Sequence, residues 1–391
     1  MADRRTRYLG WGFFLGAAAG LVWTWWRVQE IARRGIPGLV DWEQVLAVAG
    51  RFGRDIAIPP EAERFYTALV SRSIGEVAAA TEASPPPMPL TIRLLNPREW
   101  LEANVVTFRA VLQPLEELYR RLSSPRSPMT VFFGRPLQHL LSQQIGLLLG
   151  YLSQRVLGQY DIALLGPQSP SNGLLYFVEP NIRDTQAQLG LSGPDFSLWV
   201  ALHETTHAFE FELHPWLRGH LNGLLKAYLA EVENEVDQVS RSLSPSGLAE
   251  LLEHIRRGES WLLWTLTPRQ RALFDQMQAL MSIVEGYSNY VMKRVGRRIL
   301  PTFDLIESRL AARQAQRTAA ERLFLRLSGL ELKLEQYRLG ESFAENVARE
   351  RGMAFLQRVW ERPENLPTLA ELAHPQVWIA RMEEADVPAS R

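Results

Sequence analysis

The sequence predicts a mainly α-helical protein with a few short β-strands, and three observations carry that expectation. Apolar residues recur at helical spacing through most of the 391 residues. Only two short apolar runs, at 90–95 and 174–178, have the length and content of strands. Proline-rich connectors at 81–88 and 363–375 separate the helical stretches without opening long loops.

Taken in order, Trp42, Val45, Leu46 and Val48 mark a helix over residues 41–51. A second follows at 61–80, with Phe65, Leu69 and Val70 on one face, and the segment TEASPPPM ends it. After the strand candidate at 90–95, residues 100–121 and 137–158 read as long helices. In the latter, Leu141, Ile145, Leu148 and Leu152 form the apolar face, while Gly146 and Gly150 permit close helix contact. Arg155, Gln159, Tyr160 and Asp161 form a polar group expected to close that helix. LLYFV at 174–178 is the second strand candidate, stopped by Pro180 and followed by a helix at 181–190. The next helix spans 196–213, with Asp195 as its candidate cap. Further helices are expected at 219–240, 246–257, 268–295, 302–310, 313–326 and 341–358. No repeat or clean boundary divides residues 39–391, which read as one domain behind an N-terminal segment, 1–38.

That N-terminal segment contains residues 9–26, LGWGFFLGAAAGLVWTWW, with no formal charge and arginines on both sides. As a helix it would be about 27 Å long, just enough for a bilayer core. It reads either as a membrane anchor, with tryptophans at interface depth, or as a helix whose small and aromatic face packs on the protein. No Ala-x-Ala cleavage signal precedes the Trp cluster. Location is accordingly left as membrane-associated or cytoplasmic.

Composition removes several function classes. The 43 basic and 43 acidic residues cancel, so the chain has no nucleic-acid footprint. Cysteine is absent, which excludes disulfides, thiolate catalysis and iron–sulfur or all-Cys metal sites. A transition metal must therefore be held by His, Asp and Glu. There are seven His, and two of them fall in His203-Glu204-Thr205-Thr206-His207.

On a helix, histidines four residues apart share one face and can hold one zinc ion, with the intervening Glu204 as general base. Leu198, Trp199, Leu202 and Phe209 make the surrounding helix apolar, unlike the charged surface helices in which such a motif arises by chance. Catalytic zinc takes three protein ligands. Glu231 and Glu285 are the candidates for the third. Glu285 is preferred because it is a lone acid in the apolar stretch ALMSIVEGYSNYVMKRV, where it needs zinc or a base such as Arg218 as partner. Tyr287 and Tyr290 flank it, and Tyr287 is the candidate donor to a developing oxyanion. Arg218 and His220 could bind a substrate carboxylate, and Glu210, Glu231 or Asp237 could orient a ligating imidazole.

Several segments resemble a family of bacterial zincin-like metallopeptidases, some labelled hydrolases or associated with coenzyme F420 biosynthesis. They are REWLEANVVTF at 98–108, IGLLLGYLSQRVLGQYD at 145–161, LLYFVEPNI at 174–182, LWVALHETTHAFEF at 198–211, PWLRGHL at 215–221 and MSIVEGYSNYVM at 281–292. They keep their order across most of the chain after residue 40. The resemblance implies a zincin-like core with HETTH on its active-site helix, His203, His207 and Glu285 as zinc ligands, and Glu204 as base. The expected activity is that of a zinc-dependent metallopeptidase or amide hydrolase acting on a peptide or small amide. The alternative is a catalytically inactive zincin-like scaffold that keeps the metal. No F420 site is read from the residues.

Overall fold

A computed structural model describes residues 37–87, 89–123, 128–162, 173–242, 267–316 and 330–385. In chain order the elements are α1 (Trp42–Ala49), α2 (Ala62–Thr81), β1 (Thr91–Leu95), α3 (Pro97–Leu122), α4 (Pro128–Ser153), β2 (Gly158–Tyr160) and β3 (Leu174–Val178). There follow α5 (Glu179–Leu189), α6 (Gly193–Leu213), α7 (Trp216–Ser242), α8 (Pro268–Ile299), α9 (Phe303–Ala315) and α10 (Leu330–Arg351). The shorter α11 (Met353–Leu356), α12 (Leu369–Ala373) and α13 (Pro375–Glu384) close the described chain. The described residues are mainly α-helical with three short strands, which agrees with the expected class.

Two compact units are present. The smaller takes the described part of residues 1–51 together with 112–150. In it Asp41 caps α1, its Oδ1 accepting from the backbone N–H groups of Glu43 and Gln44. Gly146 lets α4 approach α1: a Cβ there would stand 2.7 Å from Val48 Cβ. The segment 9–26 lies outside the described residues, among which no helix is long and apolar enough to cross a membrane.

The larger unit, residues 52–111 with the described part of 151–391, contains the sheet and the main core. Strand order is β1-β3-β2, with β1 parallel and β2 antiparallel to β3. The sheet corrects one expectation. The helix expected at 137–158 stops at Ser153, and Gly158–Tyr160 becomes an edge strand. Pairing with the buried LLYFV strand outweighs helical continuation, which Gly158 disfavours. Val178 N–H donates to Leu157 O and Asp161 N–H to Leu174 O, so the odd-numbered residues of this stretch bond to β3. By alternation, the backbone groups of Gly158 and Tyr160 face the open edge.

Helix α6 is apolar nearly all round and buried accordingly, from Phe196 to Phe211. It packs on α2, α8 and β2. Asp195 is not its cap. Ser192 occupies that position because Pro194 is tolerated in a first turn, and Asp195 Oδ2 instead accepts from Thr302 N–H and Oγ1. Helix α8 starts with a reciprocal Thr267–Gln270 capping box and Pro268 in its first turn. Its closest neighbour is α10, and the two backbones nearly touch where Gly286 meets Gly340. The expected helix at 246–257 lies outside the described residues. Of 313–326, residues 313–315 continue α9 and 317–326 lie outside them.

Candidate metal centre

His203, Glu204, His207 and Glu210 all belong to α6, and the burial of that helix is what brings ionisable groups into the core. Helical spacing stacks His203 and His207 on one face, their ring centroids 4.7 Å apart and their planes at 83°. The Nε2 atoms are separated by 3.2 Å. Glu285, from the middle of α8, places Oε2 3.7 Å from His203 Nε2 and 3.8 Å from His207 Nε2. A tetrahedral zinc with bonds of about 2.0–2.2 Å requires ligand atoms roughly 3.4 Å apart. Two neutral imidazoles and a carboxylate are also a donor set that zinc accepts while keeping a position for substrate. The residues therefore fit the metal, and no other described group of three His, Cys, Asp or Glu side chains does so.

Glu204 lies beside this triad with its carboxylate against β2. A Cβ at Gly158 would come within 2.6–2.8 Å of the Glu204 Cγ, Cδ and Oε1 atoms, so glycine is needed where strand and carboxylate meet. The backbone N–H of Tyr160, facing the open edge, donates to Glu204. Burial raises the Glu204 pKa, while His203, His207 and that N–H pull it back. Burial disfavours charge on His207 too, but Glu210, Glu285 and Glu204 outweigh it and leave its pKa raised.

The site opens into a cavity of about 330 Å³. Its walls include Thr107, Gln159, Asp161, Met281 and Val284, with no Lys or Arg among the described lining residues. Gln159 is held by Trp100 Nε1 at 2.8 Å and donates to Asn104 Oδ1 at 3.1 Å. Gln159, Tyr160 and Asp161, which read in sequence as a helix-closing group, are thus part of the cavity rim. The signal was present as a polar stretch after an apolar helix, but the edge strand that aims it was not.

Other expected residues stand elsewhere. Tyr287 does not line this cavity. It is buried behind α8, accepts a hydrogen bond from Gln357 Nε2 at 2.9 Å and packs edge-on against Trp360. Two residues along a helix turn the side chain by about 200° away from the Glu285 face. Tyr290 faces α10, Glu231 is paired with Arg269 at 2.6 Å, and Arg218 binds Glu212 and the Tyr160 hydroxyl. His220 packs edge-on against Trp216, and the Asp237 side chain lies outside the described residues.

Fold and donor set together define a metal-binding protein of the hydrolase or peptidase kind. The chain belongs to the zincin-like metallopeptidase family, whose sequence profile matches residues 40–379. It is 43% identical to a solved protein from Chloroflexus aurantiacus described as a candidate hydrolase with a novel fold. That match covers 88% of this chain and 99% of the other, with a TM-score of 0.65. A comparison with curated proteins returned no match.

Proposed function

We propose that the protein is a zinc-dependent hydrolase of peptide or small amide bonds, with His203, His207 and Glu285 as ligands and Glu204 as general base. The observation that carries the reading is the meeting of three ligand atoms from two helices at the floor of a cavity that also holds an unligated, buried carboxylate. When bound, zinc supplies Lewis-acid polarisation of a carbonyl group and of water. Glu204 takes the proton from the attacking water at its carboxylate and passes it to the leaving nitrogen. Burial moves its proton affinity toward the range in which both transfers are easy, and Tyr160 N–H fixes its orientation. The Gly158 backbone groups and the Tyr160 carbonyl, directed away from β3, give an extended peptide main-chain partners beside that base, while the Tyr160 N–H stays with Glu204. Tyr287, expected as an oxyanion donor, serves in this reading as a packing residue behind the ligand helix. The F420 label of the resembling family contributes nothing to it.

Residues 9–26, ahead of a zincin-like domain at 39–391, are read either as a membrane-contacting segment or as a helix packed on that domain. Vesicle flotation of the full chain against a chain lacking 1–38 separates the two, and equal flotation would refute membrane contact. The catalytic reading is tested with zinc-loaded wild type and Glu204→Gln on a fluorogenic peptide library, with metal content measured alongside. Removal of a general base should lower turnover about 10²–10⁴-fold and leave bound zinc unchanged. Wild-type turnover in E204Q would exclude Glu204 as base. Zinc binding by wild type without turnover of any substrate would favour the inactive scaffold.

A further inference from the structure

We propose that Glu210 and Ser288 form a clip that fixes the tautomer of His207 and the register of α8 against α6, so that two of the three ligands depend on it. The proposal rests on the zinc-site reading above. Glu210 Oε2 lies 2.8 Å from His207 Nδ1, and Ser288 Oγ lies 3.0 Å from the same nitrogen. The Ser288 hydroxyl donates to Glu210 Oε1 at 3.2 Å. Glu210 is 1% exposed and Ser288 fully buried.

For a neutral imidazole beside an ionised Glu210, the forms that a bound zinc ion favours, the donor inventory leaves a single arrangement. An ionised carboxylate only accepts, and the one hydroxyl proton of Ser288 is committed to it. Both oxygens near Nδ1 therefore act as acceptors, and Nδ1 must carry the hydrogen. The lone pair then stands on Nε2, the atom 3.8 Å from Glu285 Oε2 that faces the cavity. His203 has no such partner: its Nδ1 is buried without a hydrogen bond. His207 is consequently the preset ligand and His203 the adjustable one.

The second half of the clip is mechanical. Ser288 stands three residues after Glu285, one turn along the same face of α8. Holding Ser288 to Glu210 sets how far Glu285 reaches toward α6. Neither Glu210 nor Ser288 touches the metal position, so both are positioning residues.

The test uses the full chain and zinc itself. Affinity is measured by competition with a chromophoric chelator for wild type, Glu210→Gln, Ser288→Ala and the double variant. E210Q should lose about 10–100-fold in affinity, the usual cost of losing the carboxylate behind a ligating His. S288A should lose less, and the double variant less than the product of the two. Long-range ¹H–¹⁵N correlation of the zinc-loaded wild type should show His207 protonated at Nδ1, a readout that holds even if a variant fails to fold. His207 protonated at Nε2, or wild-type affinity in both single variants, would overturn the clip. Wild type without zinc affinity would overturn the zinc reading itself and the clip with it.

Discussion

Gly340→Ala offers a sharp test of how Glu285, the proposed third ligand, is held. A Cβ built on Gly340 would stand 1.8 Å from Ser282 O, 2.6 Å from Ser282 C and 3.2 Å from Gly286 Cα. Ordinary contact begins at 3.4 Å, so α10 and α8 must part by roughly 1.5 Å. The obstacles are backbone atoms of a packed helix and cannot swing aside. Overpacking of this kind costs about 1–3 kcal/mol, and here the upper end applies. Alanine returns up to about 1 kcal/mol of helix propensity, leaving roughly 2 kcal/mol of destabilisation. At about 1–2 °C per kcal/mol for a chain of this length, the melting temperature should fall by roughly 2–4 °C in calorimetry. Because the displaced stretch, 282–286, contains Glu285, zinc affinity should fall as well. Gly75→Ala is the matched control: Gly75 is exposed on α2, and an added Cβ meets nothing within 4 Å. That change should stabilise the protein by up to about 1 kcal/mol. A G340A protein that melts with wild type, or a G75A protein that melts below it, would refute the account of the helix crossing.

Free zinc at a hundred times its dissociation constant should stabilise the fold by about 2.7 kcal/mol. A chelator should reverse that thermal shift, Glu285→Ala should shrink it, and no shift in wild type would sink the site. His214 gives a pH signature, since burial lowers its pKa from 6.5 to about 4. Between those values the unfolded chain binds a proton that the folded chain does not. The contribution is therefore complete above pH 6.5 and lost as pH falls toward 4. His214→Phe keeps a ring near Trp360 and should melt with a flatter pH dependence over that window; parallel curves would count against it. Asp195→Ala leaves a backbone N–H and a hydroxyl of Thr302 without their acceptor. It should cost about 1–3 kcal/mol in urea denaturation, and a loss below a few tenths would contradict the contact.

The parts of the site legible in sequence are those encoded within one helix. HETTH could be placed because i, i+4 spacing and flanking apolar residues are local properties. Glu285 could be singled out because an acid in an apolar helix needs a partner wherever that helix packs. LLYFV was legible too, since a strand buried on both sides is a continuous apolar run. What escaped depends on distant chain. Three residues from Gly158 to Tyr160 cannot announce a strand, and only β3 makes them one. The contact of Gly286 with Gly340 joins helices that carry no mark of each other. Tyr287 is a different case, because helical phase alone turns residue 287 from Glu285 and brings residue 288 back toward it.

Two carboxylates on α6 show how place decides chemistry. Glu204 and Glu210 are both buried, and burial raises the proton affinity of each. Glu204 stands on the cavity side of the histidines, with a backbone N–H to orient it and room for water in front. Glu210 stands behind His207, its side chain fully enclosed, with imidazole and hydroxyl occupying its oxygens. In the proposed reading, the first exchanges a proton with a substrate. The second has no path to one and can only hold the ring that faces it. A cation bound at the two Nε2 atoms would favour the ionised form of both, which makes one carboxylate a usable base and the other a firmer anchor. In that reading, the six-residue offset on one helix separates proton transfer from ligand orientation, with β2 holding the first carboxylate and α8 the second.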